Sequence, residues 1–298
     1  MELYAPQYYP RFQCIAERCS HSCCIGWEID IDEETLARYR ALSGALGDQL
    51  RAGISVGADG ACFSLCPDGR CPMLDERGLC RIITALGEDG LCDICREHPR
   101  FYNAVGGHME CGLGAACEAA AALILSEADY TTLVKIGDLP GEEDAVSFDA
   151  AQPRAQLLCT LSDGARPLSA RLAQIDKDFA LPAAICPSAY AALFAGLEYL
   201  DERHRRLFLD SRLAAMPQGE RAEQYERFFA YLVYRHASAA ENMHEFRSAV
   251  ALSRRLSGLF LALQEQHGLS PIAAAVTISE EIEYSEENTQ AIRLAVGV

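Results

Sequence analysis

The sequence predicts a mainly α protein, in which an irregular, cysteine-rich N-terminal region packs on a C-terminal helical domain. Twelve of the 14 cysteines lie between Cys14 and Cys117, in a stretch rich in glycine and poor in hydrophobic periodicity. From about residue 166 onward, apolar residues recur at helical spacing instead. We therefore expect a cysteine-cluster region at 1–128, a linker with little regular structure at 129–165 and an all-helical domain at 166–298.

Two helices are expected within the N-terminal region. The first begins at Asp32 and runs to about residue 52, because its apolar side chains recur three and four positions apart. These side chains are Leu36, Tyr39, Leu42 and Leu46. The second helix spans 115–128. Residues 53–117 show little periodicity, and we expect short turns there rather than regular structure.

The rest of the chain is expected to be helical after a linker. Residues 129–165 carry glycine, proline and acidic residues, which indicates a linker with a short strand at 131–136. The predicted helices then lie at about 167–178, 187–212, 220–238, 241–267 and 270–295. In the third of these helices one face is formed by Tyr225, Phe228, Phe229, Leu232 and Val233.

Composition and charge narrow the possible classes of protein. The chain has 298 residues, half of them apolar, and a net charge of −17. Such an acidic balance argues against nonspecific nucleic-acid binding, which depends on lysine and arginine meeting phosphates. No run approaches the roughly 18 apolar residues that cross a bilayer, and the first residues do not resemble a signal peptide. We expect a cytoplasmic protein with neither a nucleic-acid nor a membrane partner.

The density of cysteines indicates a metal-binding region. In a reducing cytosol thiols do not settle as disulfides, so a dense set of them usually holds metal. The candidate ligands are Cys14, Cys19, Cys23, Cys24, Cys62, Cys66, Cys71, Cys80, Cys92, Cys95, Cys111 and Cys117. Short turns around bound metal would also explain the irregular stretch 53–117. Cys159 and Cys186 stand alone and are expected to be ordinary thiols.

The spacing of the cysteines favours iron–sulfur clusters of the 4Fe-4S type over zinc. Zinc commonly takes four ligands as two close C-x2-C pairs, whereas this chain has one such pair, Cys92-x2-Cys95. The adjacent Cys23 and Cys24 are awkward for a single small ion, and iron–sulfur clusters accept uneven spacing. Zinc remains the alternative. Three histidines beside cysteines are further candidate ligands: His21, His98 and His108.

Several blocks of the sequence form a recognisable pattern. The cysteine blocks are Phe12-x-Cys14-x4-Cys19-x3-Cys23-Cys24-x2-Trp27, Gly69-Arg70-Cys71-Pro72, Gly78-Leu79-Cys80, Leu91-Cys92-x2-Cys95-Arg96 and Cys117-Glu118-Ala119-Ala120. Two helical blocks, Tyr231–Arg235 and Ile278–Asn288, accompany them. Together they resemble the flagellin lysine N-methylase family, which belongs to a wider group of cysteine-cluster proteins described as zinc or iron chelators.

This resemblance implies a set of metal ligands and a reaction. The family pattern covers Cys14, Cys19, Cys23, Cys24, Cys71, Cys80, Cys92, Cys95 and Cys117. Cys62, Cys66 and Cys111 look like additions particular to this chain. The implied reaction is methyl transfer from S-adenosylmethionine to lysine side chains of flagellin or of another lysine-bearing protein.

Neither familiar way of holding S-adenosylmethionine is visible in the sequence. No series of strands and helices carries a glycine-rich turn for the cofactor. The C-x3-C-x2-C pattern of radical enzymes is approached by Cys62-x3-Cys66-x4-Cys71, whose second spacing differs. The sequence therefore assigns no methyl-donor site and no catalytic residue.

Weaker candidates for the chemistry are aromatic and acidic side chains. A lysine amine must be neutral to attack a methyl sulfonium, and a carboxylate can assist its deprotonation. The carboxylates in question are Glu283 and Glu286. Aromatic faces can hold the cation of the donor or product, and those near the first cysteines are Tyr8, Tyr9, Phe12 and Trp27. Core packing and a solvated helix face explain the same residues without any reaction.

Two other functions fit the cysteine density without the resemblance. One is an iron–sulfur redox or electron-transfer protein that uses its clusters directly. The other is an interaction module in which metal only holds an irregular region together.

Overall fold

The computed structural model describes residues 1–20, 22–58, 60–140, 148–182, 187–212 and 216–296. His21 and Cys186, both considered above, lie outside these ranges. The chain is mainly α, as the sequence predicts. Within the described ranges, none of the helices combines the length and the hydrophobicity that crossing a bilayer requires.

Thirteen α-helices and seven strands make up the regular structure of the described ranges. The strands are β1 Glu2–Pro6, β2 Asp30–Ile31, β3 Ile54–Gly57, β4 Gly60–Phe63, β5 Arg100–Val105, β6 His108–Leu113 and β7 Leu133–Asp138. The helices are α1 Glu33–Ala41, α2 Gly44–Gly53, α3 Arg81–Leu86, α4 Asp93–Glu97, α5 Glu118–Ser126, α6 Ala151–Leu161, α7 Leu168–Asp178, α8 Pro187–Ala195, α9 Glu202–Asp210, α10 Glu220–Ala237, α11 Met243–His267, α12 Pro271–Ile278 and α13 Glu286–Val296.

Internal contacts divide the chain into two compact units. Gln13–Pro99 forms one, here called the cysteine unit because ten of the 14 cysteines lie in it. Met1–Phe12 and Arg100–Val298 form the other, here called the helical unit. Along the chain, the boundaries between the units fall between residues 12 and 13 and between residues 99 and 100. The boundaries expected from the sequence fall after residues 128 and 165.

The cysteine unit begins its regular structure with a capped helix. The Asp32 carboxylate accepts a hydrogen bond from the Thr35 N–H at 2.8 Å, which satisfies a free donor of the first turn of α1. The single helix expected from Asp32 to about residue 52 is broken, because Leu42 is extended and Gly44, the first residue of α2, takes a positive φ of 82°.

A small core organises the rest of the cysteine unit. The strands β2, β4 and β3 form an antiparallel sheet in that order. The buried core consists of Ile31, Tyr39, Leu50, Ala61, Phe63, Met73, Ile82, Leu91 and Cys92. Residues 64–80, between β4 and α3, contain no α-helix or multi-residue strand, so this part of the expected irregular stretch is irregular. The hairpins β3–β4 and β5–β6 in the same stretch were not expected.

The helical unit contains a four-stranded sheet, of which only one strand was predicted from the sequence. Its order is β5-β6-β1-β7, with β1 parallel to β6 and antiparallel to β7. The expected strand at 131–136 corresponds to β7. Because β1 pairs with strands more than a hundred residues later in the chain, no local pattern reveals the sheet.

The core of the helical unit is built on α10 and α11. The predicted apolar face of α10, from Tyr225 to Val233, is fully buried, which confirms that helix. The helix expected at 187–212 is instead the pair α8 and α9. The helix expected at 270–295 is divided into α12, a π-helical turn over Ser279–Glu283, and α13.

The stretch 129–165 is more regular than the expected linker. It contains β7 and α6, and α6 buries Leu157 and Leu161 completely. Pro153 lies in the first turn of α6, where proline is tolerated because its missing N–H has no partner in the helix.

Candidate functional site

Backbone hydrogen bonds place two distant cysteine segments side by side. The N–H of Cys71 donates to the carbonyl of Cys24 at 2.8 Å, and the N–H of Gly26 donates to the carbonyl of Gly69 at 2.9 Å. Ile25 and Arg70 form an isolated antiparallel bridge between these bonds. The first cysteine block and the Gly69–Pro72 block therefore meet in the fold.

A tight turn brings Cys80 back toward the same place. The Asp75 carboxylate accepts hydrogen bonds from the N–H groups of Arg77 and Leu79, at 2.9 and 2.8 Å, and closes the turn. Leu74 and Cys80 form a second isolated bridge. Cys80 then occupies the N-cap position of α3, so it lies at the beginning of a helix.

Cys92 and Cys95 form a pair at the beginning of α4. Cys92 is buried and belongs to the core, and its side chain is hydrogen-bonded to that of Cys95. Asp32, which caps α1, also accepts a hydrogen bond from the N–H of Asp93 at 3.0 Å. One carboxylate thus holds the beginnings of both helices, which fixes the position of the C-x2-C pair.

The thiols of these segments are close enough to perturb one another electrostatically. Burial and the thiols of Cys80, Cys66 and Cys92 raise the pKa of Cys71 to about 11. Burial, with contributions from Cys23 and Cys92, also raises the pKa of Cys80. We call the group the thiol cluster; its members are Cys23, Cys24, Cys66, Cys71, Cys80, Cys92 and Cys95.

The remaining pKa shifts of the thiol cluster follow from hydrogen bonding. A hydrogen bond with Cys23, then burial, raises the pKa of Cys24 far above its usual range. The Cys92–Cys95 hydrogen bond favours the thiolate of Cys92 and lowers its pKa, while it raises that of Cys95. Several thiolates can coexist here only if a cation compensates their mutual repulsion.

The donor chemistry of the thiol cluster fits a thiophilic metal, but the side chains do not converge on one point. Seven sulfur donors in one small unit are the ligand type that zinc and iron–sulfur clusters take. In the described part of the chain, no three Cys, His, Asp or Glu side chains stand so that they could hold a metal ion. The thirteen cysteines of the described ranges all carry thiols.

Five predicted cysteine ligands lie outside the thiol cluster. Cys14 is exposed and Cys19 is half-buried, both beside the short helical turn Ala16–Arg18. Cys62 lies on β4, with its sulfur 3.1 Å from the Ser55 hydroxyl. The last two belong to the helical unit: Cys111 is buried on β6, and Cys117 precedes α5.

A second cluster, in the helical unit, joins the two helical blocks noted in the sequence. The carboxylate of Glu283, in the π-helical turn, accepts a hydrogen bond from the Tyr231 hydroxyl at 3.0 Å. It lies 2.9 Å from Nε2 of His236 and 3.2 Å from Nε of Arg235. The guanidinium of Arg235 in turn lies between the rings of Phe101 and Tyr284.

Charge compensation keeps Glu283 ionised in the interior. Burial alone would raise the pKa of this carboxyl, but the charge of Arg235 and the hydrogen bond with His236 hold it at about 2. Burial lowers the pKa of His236, so this imidazole is neutral at pH 7. The Glu283 side chain has no solvent exposure, which fits a structural role better than proton transfer to a substrate. Glu286 is exposed at the beginning of α13.

A third buried group, the ion pair of Glu110 and Arg154, was not predicted from the sequence. Two guanidinium nitrogens donate to the two carboxylate oxygens, both at 2.6 Å. His108, predicted as a possible ligand, instead contacts Glu110 at 3.0 Å through Nε2. A glutamate at a buried position of a strand is the only signal that could have indicated the pair.

The predicted aromatic candidates separate into three places. Tyr9 and Phe12 flank the guanidinium of Arg100, at 6.0 and 5.6 Å from the ring centres. Trp27 is half-buried in the cysteine unit. Tyr8 is buried and lines a pocket of the helical unit.

Fold and thiol cluster together define a mainly α protein with a separate cysteine-rich unit. The Salmonella muenchen flagellar biosynthetic protein FliU is 30% identical to the chain over 135 residues, which make up 43% of this chain and 79% of FliU. The chain belongs to the same family as FliU. No family model matches the chain, and no solved structure matches it.

Two further relatives carry the name of an enzyme. The lysine-N-methylases of Salmonella typhimurium and Salmonella choleraesuis are each 29% identical to the chain over 135 residues. The match covers 43% of this chain and 33% of each of these relatives. The chain therefore aligns with about a third of the length of the two named lysine-N-methylases.

Proposed function

We propose that this protein is a lysine N-methylase that acts on a flagellar protein and holds a thiolate-bound metal, an iron–sulfur cluster, in its cysteine unit. The observation that carries the metal part is the meeting of distant cysteine segments in one thiol cluster. The reaction part is supported by the names of the relatives, and flagellin is the acceptor that the sequence resemblance implies.

The thiol cluster supports a soft metal for a physical reason. Neighbouring thiols contribute to raising the pKa of Cys24, Cys71, Cys80 and Cys95, because each nearby thiolate disfavours the next. A bound cation reverses this effect and deprotonates its ligands. The ligands of the metal would be Cys24, Cys71, Cys80 and Cys95. Cys92 lies beside Cys95, and the hydrogen bond between them favours the thiolate of Cys92. An iron–sulfur cluster would supply iron and one-electron chemistry at this position.

The acceptor chemistry places a requirement on the protein. A lysine amine attacks a methyl sulfonium only in its neutral form, so the enzyme must lower the pKa of the amine or remove its proton. The chain's net charge of −17 would attract a lysine-bearing partner at long range. The same negative charge would also stabilise the protonated form of the lysine. An apolar pocket is therefore needed to favour the neutral amine at the site of reaction.

The metal is tested first. The protein is purified without oxygen, and iron, zinc and acid-labile sulfide are measured per chain together with the visible spectrum. We expect several irons with matching sulfide, and loss of most of both in Cys71→Ser. Cys159→Ser is the matched control, because Cys159 is an exposed thiol of the helical unit. Stoichiometric zinc without sulfide would contradict the iron–sulfur assignment.

The reaction is tested separately. Purified flagellin, S-adenosylmethionine and the anaerobic protein are incubated, and lysine masses are read by peptide mass spectrometry. We expect mass increases of whole methyl groups on flagellin lysines, absent when the methyl donor is left out. Iron and sulfide without any methyl transfer would instead favour the electron-transfer function.

A further inference from the structure

A small cavity of the helical unit lies among α5, α6, α10 and β7. Its charged lining residues are Arg154 of α6 and Arg227 of α10, and no carboxylate of the described residues lines it. The exposed Thr131 also lines this cavity, so it reaches the protein surface. We call it the arginine pocket. An occupant would meet two guanidinium groups there and no acidic side chain.

One edge of the Arg154 guanidinium is not used by the fold. This side chain has five N–H groups. Two of them donate to the Glu110 carboxylate at 2.6 Å each, and a third donates to the Ser238 hydroxyl. In the described part of the chain, no acceptor is bonded to the other two, the Nε–H and the second N–H of Nη2. These two N–H groups share one edge of the planar guanidinium, the arrangement that binds both oxygens of a carboxylate.

Solvent access places this edge of Arg154 at the arginine pocket. Some buried arginines have an Nε that is both enclosed and without a hydrogen bond; within the described ranges they are Arg171, Arg247 and Arg293. The Nε of Arg154 is not among these enclosed atoms, so it keeps some accessible surface. Because Arg154 as a whole is only 5% exposed and lines the pocket, the pocket is where this nitrogen can be reached.

The hydroxyl of Tyr8 supplies another unused donor. Tyr8 lines the arginine pocket and is 5% exposed. Burial, with the charges of Glu127 and Cys111, raises the pKa of this phenol far above its usual range, so the O–H keeps its proton. No described residue forms a hydrogen bond with this hydroxyl, and its oxygen is not one of the enclosed atoms. An acceptor inside the pocket would complete its hydrogen bonding.

The charge of Arg227 is only weakly compensated. Its Nη1 donates to the carbonyl of Leu125 at 2.9 Å, and its Nη2 pairs with Glu223 at 3.0 Å. The Glu223 side chain is 61% exposed, so water screens this ion pair. Glu110, in contrast, is fully buried against Arg154. The arginine pocket therefore attracts an anion, and Arg227 supplies most of this attraction.

The size of the arginine pocket limits the anion. The cavity has a volume of about 30 Å³, and one water needs roughly 10–15 Å³ by the same measure. A carboxylate group is of this size, whereas a nucleotide or an adenosine group is much larger. The two oxygens of a carboxylate also match the paired N–H groups of the Arg154 edge.

We propose that the arginine pocket binds the carboxylate of a small organic acid. The Arg154 edge donates to its two oxygens, the Tyr8 hydroxyl donates to one of them, and Arg227 supplies charge. The site is separate from the thiol cluster and does not depend on the proposed methylation. The amino-acid end of a methyl donor would bring an ammonium group beside its carboxylate. The lining has no acidic partner for that ammonium, which favours an acid without an amine.

The test compares acetate with acetamide, which has nearly the same shape and no charge. The full chain, purified without oxygen and labelled with ¹⁵N at arginine, is titrated with each probe at pH 7. Binding is followed by NMR through the arginine Nε–H resonances. We expect saturable binding of acetate and at least about 10-fold weaker binding of acetamide, because hydrogen bonds to a charged acceptor are the stronger ones.

Two matched variants locate the binding. Tyr8→Phe removes the unused hydroxyl and keeps the ring, and we expect it to weaken acetate binding by about 3- to 10-fold. Tyr130→Phe is the control, because the Tyr130 hydroxyl donates to Glu226, outside the lining, at 3.3 Å. Its affinity for acetate should equal that of the wild type. Arg227→Gln should weaken acetate binding and leave that of acetamide unchanged.

Several results would overturn the proposal. Equal affinities for acetate and acetamide, or no saturable binding of acetate, exclude a carboxylate site without recourse to any variant. Wild-type affinity for acetate in both Tyr8→Phe and Arg227→Gln would place the binding elsewhere on the chain. S-adenosylmethionine and its decarboxylated form are then added as competitors. Displacement of acetate by the first alone would overturn the assignment to a free acid, whereas displacement by neither supports it.

Discussion

Glu283 shows how single residues of this protein are held by partners from distant parts of the chain. Its carboxylate is buried, yet its pKa of about 2 means that the charged form is favoured by the fold. The cause lies in Arg235 and His236, which α10 carries to the π-helical turn. The ion pair therefore joins two elements, and its contribution to stability depends on pH.

The free energy of unfolding should depend on pH through the protonation of Glu283. A pKa lowered from 4.5 to about 2 means that the stabilisation is present above pH 4.5 and is lost as the pH falls toward 2. We expect the wild type to lose about 3 kcal/mol more than Glu283→Gln between those limits, measured by urea unfolding. Parallel pH profiles of the two proteins would contradict the assignment.

A replacement at the nearby Glu286 checks that the stabilisation by Glu283 comes from its burial and its ion pair. Glu286 lies three residues away but is exposed. Glu286→Gln is expected to change the free energy of unfolding at pH 7 by less than about 0.5 kcal/mol. Glu283→Gln leaves the charge of Arg235 buried without its carboxylate, and a loss of about 3–5 kcal/mol is expected there.

For single residues, the sequence indicates which residue types could bind a ligand, but not which residues contact one another in the fold. The cysteine density identifies candidate ligands, because twelve thiols in a short stretch are rarely accidental. It does not indicate that Cys71 lies beside Cys24, since that contact depends on a backbone hydrogen bond between loops. Glu110 and Arg154 were missed for the same reason, because their separation in sequence hides the pair.

The hairpin of β5 and β6 depends on a residue without a side chain. Phe101 and Gly112 are cross-strand neighbours, and the Phe101 ring lies over the position of Gly112. A Cβ placed on Gly112 would stand 2.2 Å from that ring. The ring is also one of the two that flank Arg235, so this strand pair supports the buried carboxylate cluster.

Gly112→Ala should therefore destabilise the protein through overpacking. We expect a loss of about 1–3 kcal/mol in the free energy of unfolding, because the Phe101 ring must move against its neighbours. Gly137→Ala is the control in the same sheet, where a Cβ would meet no atom within 4 Å. That variant should be neutral or slightly stabilising. Equal losses in the two variants would show that space beneath Phe101 is not the cause.

Elements were predictable where their own side chains carry the signal. The face of α10 repeats at helical spacing and is buried as expected. The break between α1 and α2 was missed because the apolar stripe continues through Leu42, while the backbone turns at Gly44. The strand β1 was missed because its partners lie in β6 and β7, far along the chain.

The two units differ in how they are stabilised. The helical unit buries long apolar faces of α10, α11 and α12. The cysteine unit has a core of nine buried residues, and 64–80 contributes almost no regular structure. A region with so small a core commonly needs a metal or disulfides. The cysteines of the thiol cluster form no disulfides, which leaves the proposed metal. Composition suggested a metal-stabilised region, but its limits at 13 and 99 follow from contacts that no local pattern shows.

If the proposed metal is bound by the thiol cluster, its removal should loosen the cysteine unit and spare the helical unit. Because the free energy of metal binding becomes folding free energy, the anaerobic protein treated with an iron chelator should exchange amide hydrogens faster in 64–80, by at least about tenfold. The amides of α10 and α11 should change little, because their protection comes from apolar burial. Cys71→Ser, untreated, should resemble the chelated protein. Unchanged exchange in 64–80, or equal acceleration in both units, would contradict the proposal that a metal in the thiol cluster stabilises this region.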